Sequence, residues 1–201
     1  METKKFSTKQ LAEMALLTAI IVLMAFTPIG YIRTLGLEIT LIVVPVTVGA
    51  VTMGPLAGAV LGAVFGITSF IQCFGMSPFG AVLLGINPIF TFIVCVVSRV
   101  LMGWLTGLIY QALSRAQSVR KAAVVIANLI GPVLNTAFFM GTLVLFFYQT
   151  EYIQGLASAL GASSALMFVV AFVGINGVIE AAACFVLGSA ISKALQKALK
   201  L

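Results

Sequence analysis

Long runs of apolar residues, broken by short clusters of glycine, proline and charged residues, dominate the pattern of this 201-residue chain. A helix needs about 20 mostly apolar residues to cross about 30 Å of hydrocarbon. Division of the chain at its breaks predicts six such helices, approximately over residues 11–26, 39–53, 56–71, 88–113, 122–148 and 166–194. We therefore expect an all-α membrane protein, with one integral membrane domain over residues 1–201 that folds as a six-helix bundle.

The composition agrees with this class. The chain is 62% hydrophobic and only 8% charged, whereas a soluble domain carries roughly 25% charged residues. Too few charges are present to cover a water-facing surface, which excludes a soluble globular domain, a disordered chain and a nucleic-acid-binding protein. The sequence has no histidine and no aspartate, and its five acidic residues are all glutamates. Because most acid–base and metal-ligand chemistry is missing, we expect no enzyme activity, no cofactor and no metal.

The basic residues predict the orientation. They form three clusters, which are Lys4, Lys5 and Lys9 before the first helix, Arg115, Arg120 and Lys121 between the fourth and fifth, and Lys193, Lys197 and Lys200 at the end. With six crossings all three clusters lie on one side, and the positive-inside rule makes that side cytoplasmic. Both termini are therefore expected in the cytoplasm, and the net charge of +6 says nothing about an acidic partner.

Arg99 is the most unusual residue, because it lies near the middle of the predicted fourth helix. An arginine there costs about 2.5–3.5 kcal/mol on insertion scales, so such residues are functional candidates by default. The planar guanidinium suits a carboxylate or phosphate ligand. The structural alternative is an ion pair with Glu180, the only acid well inside a predicted helix. The two interpretations are compatible if Glu180 holds one part of the guanidinium.

Polar residues recur at helical spacing on three consecutive predicted helices. This spacing places each set on one face, and the sets are Asn87, Thr91, Cys95 and Ser98 with Arg99; Asn128, Asn135 and Thr142; and Asn176, Glu180 and Cys184. Hydrogen bonding between helices would explain one such face. Three faces with two charges favour the lining of a binding pocket. Gln72 and Tyr148 are expected to close it from outside, with the loops around Tyr31 and over residues 76–80 as candidate lids.

Small residues and cysteines give two further predictions. Gly54, Gly58, Gly62 and Gly66 form a ridge that is expected to pack within the bundle, whereas Ala15 and Ala19 suit either internal packing or a partner surface. Cys73, Cys95 and Cys184 form no CxxC motif and are interpreted as apolar fillers rather than as a disulfide or metal set.

The chain also lacks an energy source of its own. It has no glycine-rich nucleotide-binding loop of the GxxxxGK[ST] type and no aspartate for magnesium. Glu180 is the one intramembrane acid available for proton coupling, and the protein is small for a transporter built of two repeats. These features favour a binding subunit that depends on partners. An autonomous proton-coupled carrier that uses Glu180 remains the alternative.

The motifs resemble those of the substrate-binding S component of an energy-coupling factor (ECF) vitamin transporter. The similarity covers the whole chain and rests on the basic N-terminus, Ala15-x-x-x-Ala19, Pro45-x-x-x-Gly49, Met53-Gly54-Pro55-Leu56-Ala57-Gly58 and Gly62-Ala63-Val64-Phe65-Gly66. The resemblance implies a prokaryotic plasma membrane protein with a ligand pocket near the outer face. It also implies docking of a transmembrane T component on Ala15 and Ala19, and ATP hydrolysis by two cytoplasmic ATPase subunits.

Within that family, the chain is most similar to the pantothenate group. This similarity is carried by Asn87-Pro88-Ile89-Phe90-Thr91-Phe92, Arg99-Val100-Leu101-Met102-Gly103-Trp104, Asn135-Thr136 and Asn176-Gly177-Val178-Ile179-Glu180. Arg99 would bind the carboxylate, and Asn87, Asn135 and Asn176 would bind the hydroxyl and amide groups. Pyridoxine, hydroxymethylpyrimidine, riboflavin and folate remain alternative ligands.

Overall fold

The computed structural model describes residues 7–27, 30–33 and 38–199. Helices account for most of these residues, together with one short antiparallel hairpin. The elements are α1 (Thr8–Ala25), β1 (Tyr31–Arg33), β2 (Glu38–Thr40), α2 (Val43–Met53), α3 (Pro55–Gln72), α4 (Pro78–Ile86), α5 (Pro88–Phe92), a first π-turn (Ile93–Val97), α6 (Ser98–Arg115), a 3₁₀ turn (Arg120–Ala122), α7 (Ala123–Phe147), α8 (Glu151–Ala159), α9 (Ala165–Ala183), a second π-turn (Cys184–Gly188) and α10 (Ser189–Leu199).

Local sequence signals set where the helices begin. Ser7 caps α1 in a reciprocal capping box with Gln10. Ser77 and Asn87 accept hydrogen bonds from backbone N–H groups in the first turns of α4 and α5, and a proline follows each cap. Gly54 joins α2 to α3 with φ of +98°, a conformation that a residue with a side chain rarely adopts. Pro55 then begins α3.

The structure differs from the predicted helices in three places. The second helix begins at Val43 rather than near residue 39, because β2 pairs with β1 in the register Tyr31↔Thr40 and Arg33↔Glu38. The segments expected as outer loops contain the short helices α4 and α8. The sixth predicted helix is broken inside α9 at Gly174, where φ is 42°.

Among the described residues, five helices are long and apolar enough to cross a membrane, namely Thr8–Ala25, Pro55–Gln72, Pro88–Arg115, Ala123–Phe147 and Gly177–Ala198. Val43–Met53 and Ala165–Gly174 are apolar but shorter. Large apolar side chains face outward on several helices, including Leu166 at 79% and Leu145 at 74% exposure. Exposed apolar surface of this extent is expected where a helical bundle faces lipid. The expected helical membrane architecture is therefore confirmed.

The glycine ridge lies in the tightest contact of the bundle, between α3 and α6. An added Cβ at Gly58 would meet the carbonyl group of Gly103, and one at Gly62 would meet the carbonyl group of Arg99. Gly66 meets the backbone of Val96 in the same way. The absence of side chains lets the two backbones touch, so the packing role predicted for the ridge is confirmed. This contact also fixes the part of α6 that carries Arg99.

Contacts between helix ends bring five of the described basic residues to one end of the bundle. Gln196 near the end of α10 donates a 2.7 Å hydrogen bond to the Tyr110 hydroxyl near the end of α6. Tyr110 packs against a cluster from the end of α2 and the start of α7, formed by Val51, Val124 and Ala127. Thr52 at the end of α2 donates to Glu13 at the start of α1. We call this the basic end, since it carries Lys9, Arg115, Arg120, Lys193 and Lys197.

Candidate functional site

The first π-turn shapes the backbone around Arg99. A π-turn shifts the hydrogen-bond pattern of a helix by one residue and is frequent at functional sites. Here the carbonyl oxygen of Val94 accepts hydrogen bonds from the Ser98 hydroxyl and, at 2.7 Å, from Nη1 of Arg99. Nη1 also contacts the Ser98 hydroxyl at 3.0 Å. The guanidinium is therefore held against its own helix rather than extended toward the lipid.

Two phenyl rings enclose the guanidinium. Its central carbon lies 4.6 Å from the ring centre of Phe139 on α7 and 5.4 Å from that of Phe65 on α3. Both distances are in the range of cation–π contacts. Arg99 is only 8% exposed, and its Nε has no hydrogen-bond partner in the described structure. The result is a buried cation with unused hydrogen-bonding capacity.

Glu180 on α9 is held by neutral groups. Its Oε1 accepts a 3.2 Å hydrogen bond from Nδ2 of Asn135, and its Oε2 accepts a 3.4 Å hydrogen bond from the backbone N–H of Thr40. Glu180 is 7% exposed and Asn135 is 6% exposed. Oδ1 of Asn135 has no hydrogen-bond partner among the described residues. The carboxylate thus ties the hairpin to α7 and orients Asn135.

Helix α7 connects the two charged residues. Asn135 and Phe139 lie one turn apart on its face, so that Asn135 contacts Glu180 while Phe139 contacts Arg99. The described residues contain no ion pair between Arg99 and Glu180. The direct ion pair left open as an alternative is thus not formed in this structure. We call Arg99, Ser98, Phe65, Phe139, Asn135 and Glu180 the arginine site.

Four other predicted site residues have local structural roles here. Asn87 caps α5 by accepting hydrogen bonds from the N–H groups of Ile89 and Phe90. The buried Thr91 donates to the carbonyl oxygen of Asn87 at 2.8 Å. Gln72 donates to the carbonyl oxygen of Ala25 and so joins the ends of α3 and α1. Hydrogen bonds therefore do not bring these side chains to Arg99 in the described structure.

Tyr148, the fourth of these predicted site residues, belongs to an aromatic cluster at the end of the bundle opposite the basic end. Its ring centre lies 6.1 Å from that of Phe168, and Phe168 in turn lies 5.1 Å from Phe172. Phe90 stacks on Phe146 at 4.6 Å in the same region. These rings contact one another and form a core beside the arginine site.

The remaining predicted residues lie elsewhere. Asn128 is completely buried and contacts Ser192 on α10 at 3.3 Å, toward the basic end. Ala15 and Ala19 are exposed on α1, away from its buried residues. The side chains of Asn176 and Tyr31 lie outside the described part of the structure.

Phe65, Phe139 and the backbone of Thr40 are site components that the sequence analysis did not identify. Phe139 follows Asn135 by four residues, so helical spacing was an available signal for it. Phe65 was noted only as part of the glycine-rich motif of α3. Thr40 contributes through a backbone group, for which no side-chain pattern exists.

These features define a class of protein, namely a helical membrane protein with a buried polar site inside its bundle. A family model described as the substrate-specific component of ECF transporters matches residues 9–192. The chain therefore belongs to the family of ECF transporter substrate-specific components, which are transport subunits rather than enzymes. No curated protein sequence matches the chain significantly.

Proposed function

We propose that the chain is the subunit that binds pantothenate for ATP-driven uptake by an ECF-type transporter. The observation that carries this proposal is the arginine site, in which a buried Arg99 has no ion-pair partner and an unused Nε among the described residues. A buried charge without a partner is strongly unfavourable. Binding of an anionic ligand would remove that cost, and the planar donors suit a carboxylate.

The neighbouring groups match the rest of such a ligand. Pantothenate carries hydroxyl groups and an amide beside its carboxylate. The free Oδ1 of Asn135 is an acceptor for a hydroxyl or amide hydrogen, and the bond to Glu180 holds that amide in place. We propose that Asn87, Thr91, Asn176, Gln72 and Tyr148 contact the ligand only after rearrangement, because the described ones have protein contacts here.

We further propose six crossing segments with both termini in the cytoplasm of a prokaryotic cell. Helix α2 has 11 residues, which span only about 16 Å at 1.5 Å per residue. It is buried over most of its length, and backbone that is shielded from lipid need not be a full-length helix. The basic end would face the cytoplasm, in agreement with the positive-inside rule.

The energy would come from partner subunits. We propose that a transmembrane T component docks on the exposed Ala15 and Ala19 of α1, and that two cytoplasmic ATPases drive transport. Small residues allow close approach of another helix, and both side chains point away from the core of the bundle.

Two alternatives lead to different measurements. Pyridoxine, hydroxymethylpyrimidine, riboflavin and folate are the other vitamin ligands, and a proton-coupled carrier would use the buried carboxylate of Glu180. The bonds of Glu180 to Asn135 and to the hairpin suggest a positioning role instead. Uptake that stops with ATP depletion but survives collapse of the proton gradient would exclude the carrier.

The direct test identifies the ligand. The protein is purified in detergent, its bound small molecules are released by denaturation, and they are identified by mass spectrometry. Labelled pantothenate should bind to the emptied protein, and unlabelled pantothenate should displace it while the other vitamins do not. Displacement by one of those vitamins at lower concentration would reject pantothenate. The absence of any small-molecule binding would reject the binding-subunit function.

A further inference from the structure

Two cysteines that are distant in sequence contact each other inside the bundle. Sγ of Cys73, just after α3, lies 3.9 Å from Sγ of Cys95 in the first π-turn. Both residues are free thiols, with exposures of 4% and 6%. Both cysteines fill an apolar cluster, as the sequence analysis expected, but they also contact each other, which the sequence did not indicate. Cys184 packs in a separate apolar cluster.

The surroundings keep the two thiols together. Cys73 donates a 3.4 Å hydrogen bond to the carbonyl oxygen of Ser69. Val96, Phe70, Leu84 and Val100 pack around the pair, and the first turn of α4 covers it, since a Cβ at Gly80 would lie 2.6 Å from Sγ of Cys73. A rotation about the Cα–Cβ bonds can change the separation of two such sulfurs without moving a helix.

We propose that Cys73 and Cys95 form a reversible disulfide, which makes this contact a redox modification site. The two thiols lose two protons and two electrons as the S–S bond forms. The oxidant is a small disulfide. One cysteine thiolate attacks it, which forms a mixed disulfide and releases one small thiol, and the second cysteine then displaces the other small thiol. Reduction by an external dithiol reverses the reaction and restores both cysteines.

The bond would tie the π-turn that holds Arg99 to the end of α3. Cys95 lies in the same π-turn as Val94, whose carbonyl oxygen holds Arg99. Cys73 follows Gln72, which joins α3 to α1. The disulfide also closes the chain segment that contains α4 and α5. It therefore restricts the separation of the first π-turn from the end of α3.

A metal site explains the contact less well. Within the described residues, no group of three or more histidine, cysteine, aspartate or glutamate side chains is close enough to hold a metal ion. Two sulfurs alone supply half of the tetrahedral set typical of structural zinc. The direct contact of two thiols is instead the arrangement from which a disulfide forms.

The test uses the full-length protein, purified in the reduced state and freed of reductant. It is treated with diamide, which takes up two electrons and two protons, and separately with iodine, a small apolar oxidant. After denaturation, remaining thiols are alkylated and the protein is analysed by intact mass and peptide mapping. We expect a loss of two hydrogens, one alkylated cysteine (Cys184), and a peptide that links Cys73 to Cys95. Dithiothreitol should restore three alkylated cysteines.

Variants make the result specific. Cys184→Ser should form the same linked peptide, whereas Cys73→Ser and Cys95→Ala should each retain two alkylated cysteines after oxidation. The oxidised protein should also unfold several degrees higher than the reduced protein, because the bond restricts the unfolded chain, and this shift should disappear in Cys73→Ser. Three alkylated cysteines after both oxidants, a linked dimer, or a linkage through Cys184 would overturn the proposal.

Discussion

Replacement of Arg99 by methionine is expected to abolish tight binding of an anionic ligand while the fold is retained. The side chain is 92% buried, from an exposure of 8%, so water screens its interaction with a ligand poorly. Truncation of one partner of a buried, hydrogen-bonded charge pair costs about 2–5 kcal/mol, or roughly 30-fold to 5,000-fold in Kd. We therefore expect pantothenate affinity to fall by about 100-fold or more.

The same substitution should cost little stability. Methionine loses the hydrogen bonds to Val94 and Ser98 and the contacts with two phenyl rings. It also removes a buried charge that has no ion-pair partner in the described structure, and apolar replacement of such charges is often neutral or stabilising. The flexible side chain is expected to fill the space between Phe65 and Phe139.

The assay is equilibrium binding of labelled pantothenate to protein in detergent, with thermal unfolding measured on the same samples. Arg115→Met is the matched control, since Arg115 is exposed at the end of the same helix. A second comparison uses the alcohol analogue of pantothenate, in which CH₂OH replaces the carboxylate. That analogue should bind the native protein weakly, and Arg99→Met should change its affinity little.

Two results would refute this reasoning. Pantothenate affinity within about threefold of the native value would show that Arg99 does not bind the carboxylate. An equal loss of affinity for the acid and the alcohol would show that the substitution disrupts the site in general. Arg99→Lys separates charge from geometry, because it keeps the charge but not the planar donors, and should give an intermediate affinity.

Three further predictions follow from the packing and from the surfaces. Gly62→Ala should destabilise the protein by about 1–3 kcal/mol, because the new Cβ meets the backbone of Arg99; thermal unfolding measures the loss. Leucine at Ala15 and Ala19, both exposed, should leave pantothenate binding unchanged but reduce ATP-driven uptake and co-purification of partner subunits more than tenfold, because the larger side chains block close helix approach. Glu180→Gln keeps an acceptor for only one of its two N–H partners and should retain most of the uptake, whereas Glu180→Ala should speed ligand dissociation about tenfold in stopped-flow exchange, because it removes the hydrogen bonds to both Asn135 and Thr40.

Each of these predictions has a control and a contradicting outcome. Gly141→Ala should not destabilise the protein, since nothing in the described structure lies within 4 Å of a Cβ there. Equal destabilisation by Gly62→Ala and Gly141→Ala would show that the close contact of α3 with α6 is not the cause. Ala137→Leu places leucine at an exposed site on α7 and should leave uptake unchanged. An equal loss of uptake in this variant would show that the effect is not specific to the α1 surface. Complete loss of uptake in Glu180→Gln, with ligand affinity unchanged, would support proton coupling instead.

The sequence predicts different features of the bundle and of the site. The helix boundaries at Gly54-Pro55 and Asn87-Pro88 could be predicted because proline, glycine and capping residues act on their immediate neighbours. The short hairpin was missed, since pairing of β1 with β2 depends on contacts outside each segment. The helices α4 and α8 were missed because they are short, and their caps, Ser77 and Thr150, are also common in turns.

Within the site, Arg99, Asn135 and Glu180 were identified because charged and amide groups inside apolar helices are costly and therefore conspicuous. Their partners were harder to predict. Whether Arg99 faced Glu180 or Phe139 depends on the rotation of α6 against α7, which periodicity does not specify. Gln72 was expected at the ligand, yet its side-chain amide donates a hydrogen bond to the backbone carbonyl of Ala25. Patterns of side chains along the sequence do not predict such a backbone contact.

The sequence by itself determined that this is a helical membrane protein of the S-component type with a cation inside a helix, because hydropathy, charge and glycine spacing act along one chain. Only the tertiary structure decided that the cation has no ion-pair partner among the described residues, that Glu180 holds the hairpin, and that Cys73 contacts Cys95. These arrangements depend on how far each helix rotates and slides against its neighbours. The contact of Gly58 and Gly62 with α6 fixes that geometry, and it is a property of pairs of helices.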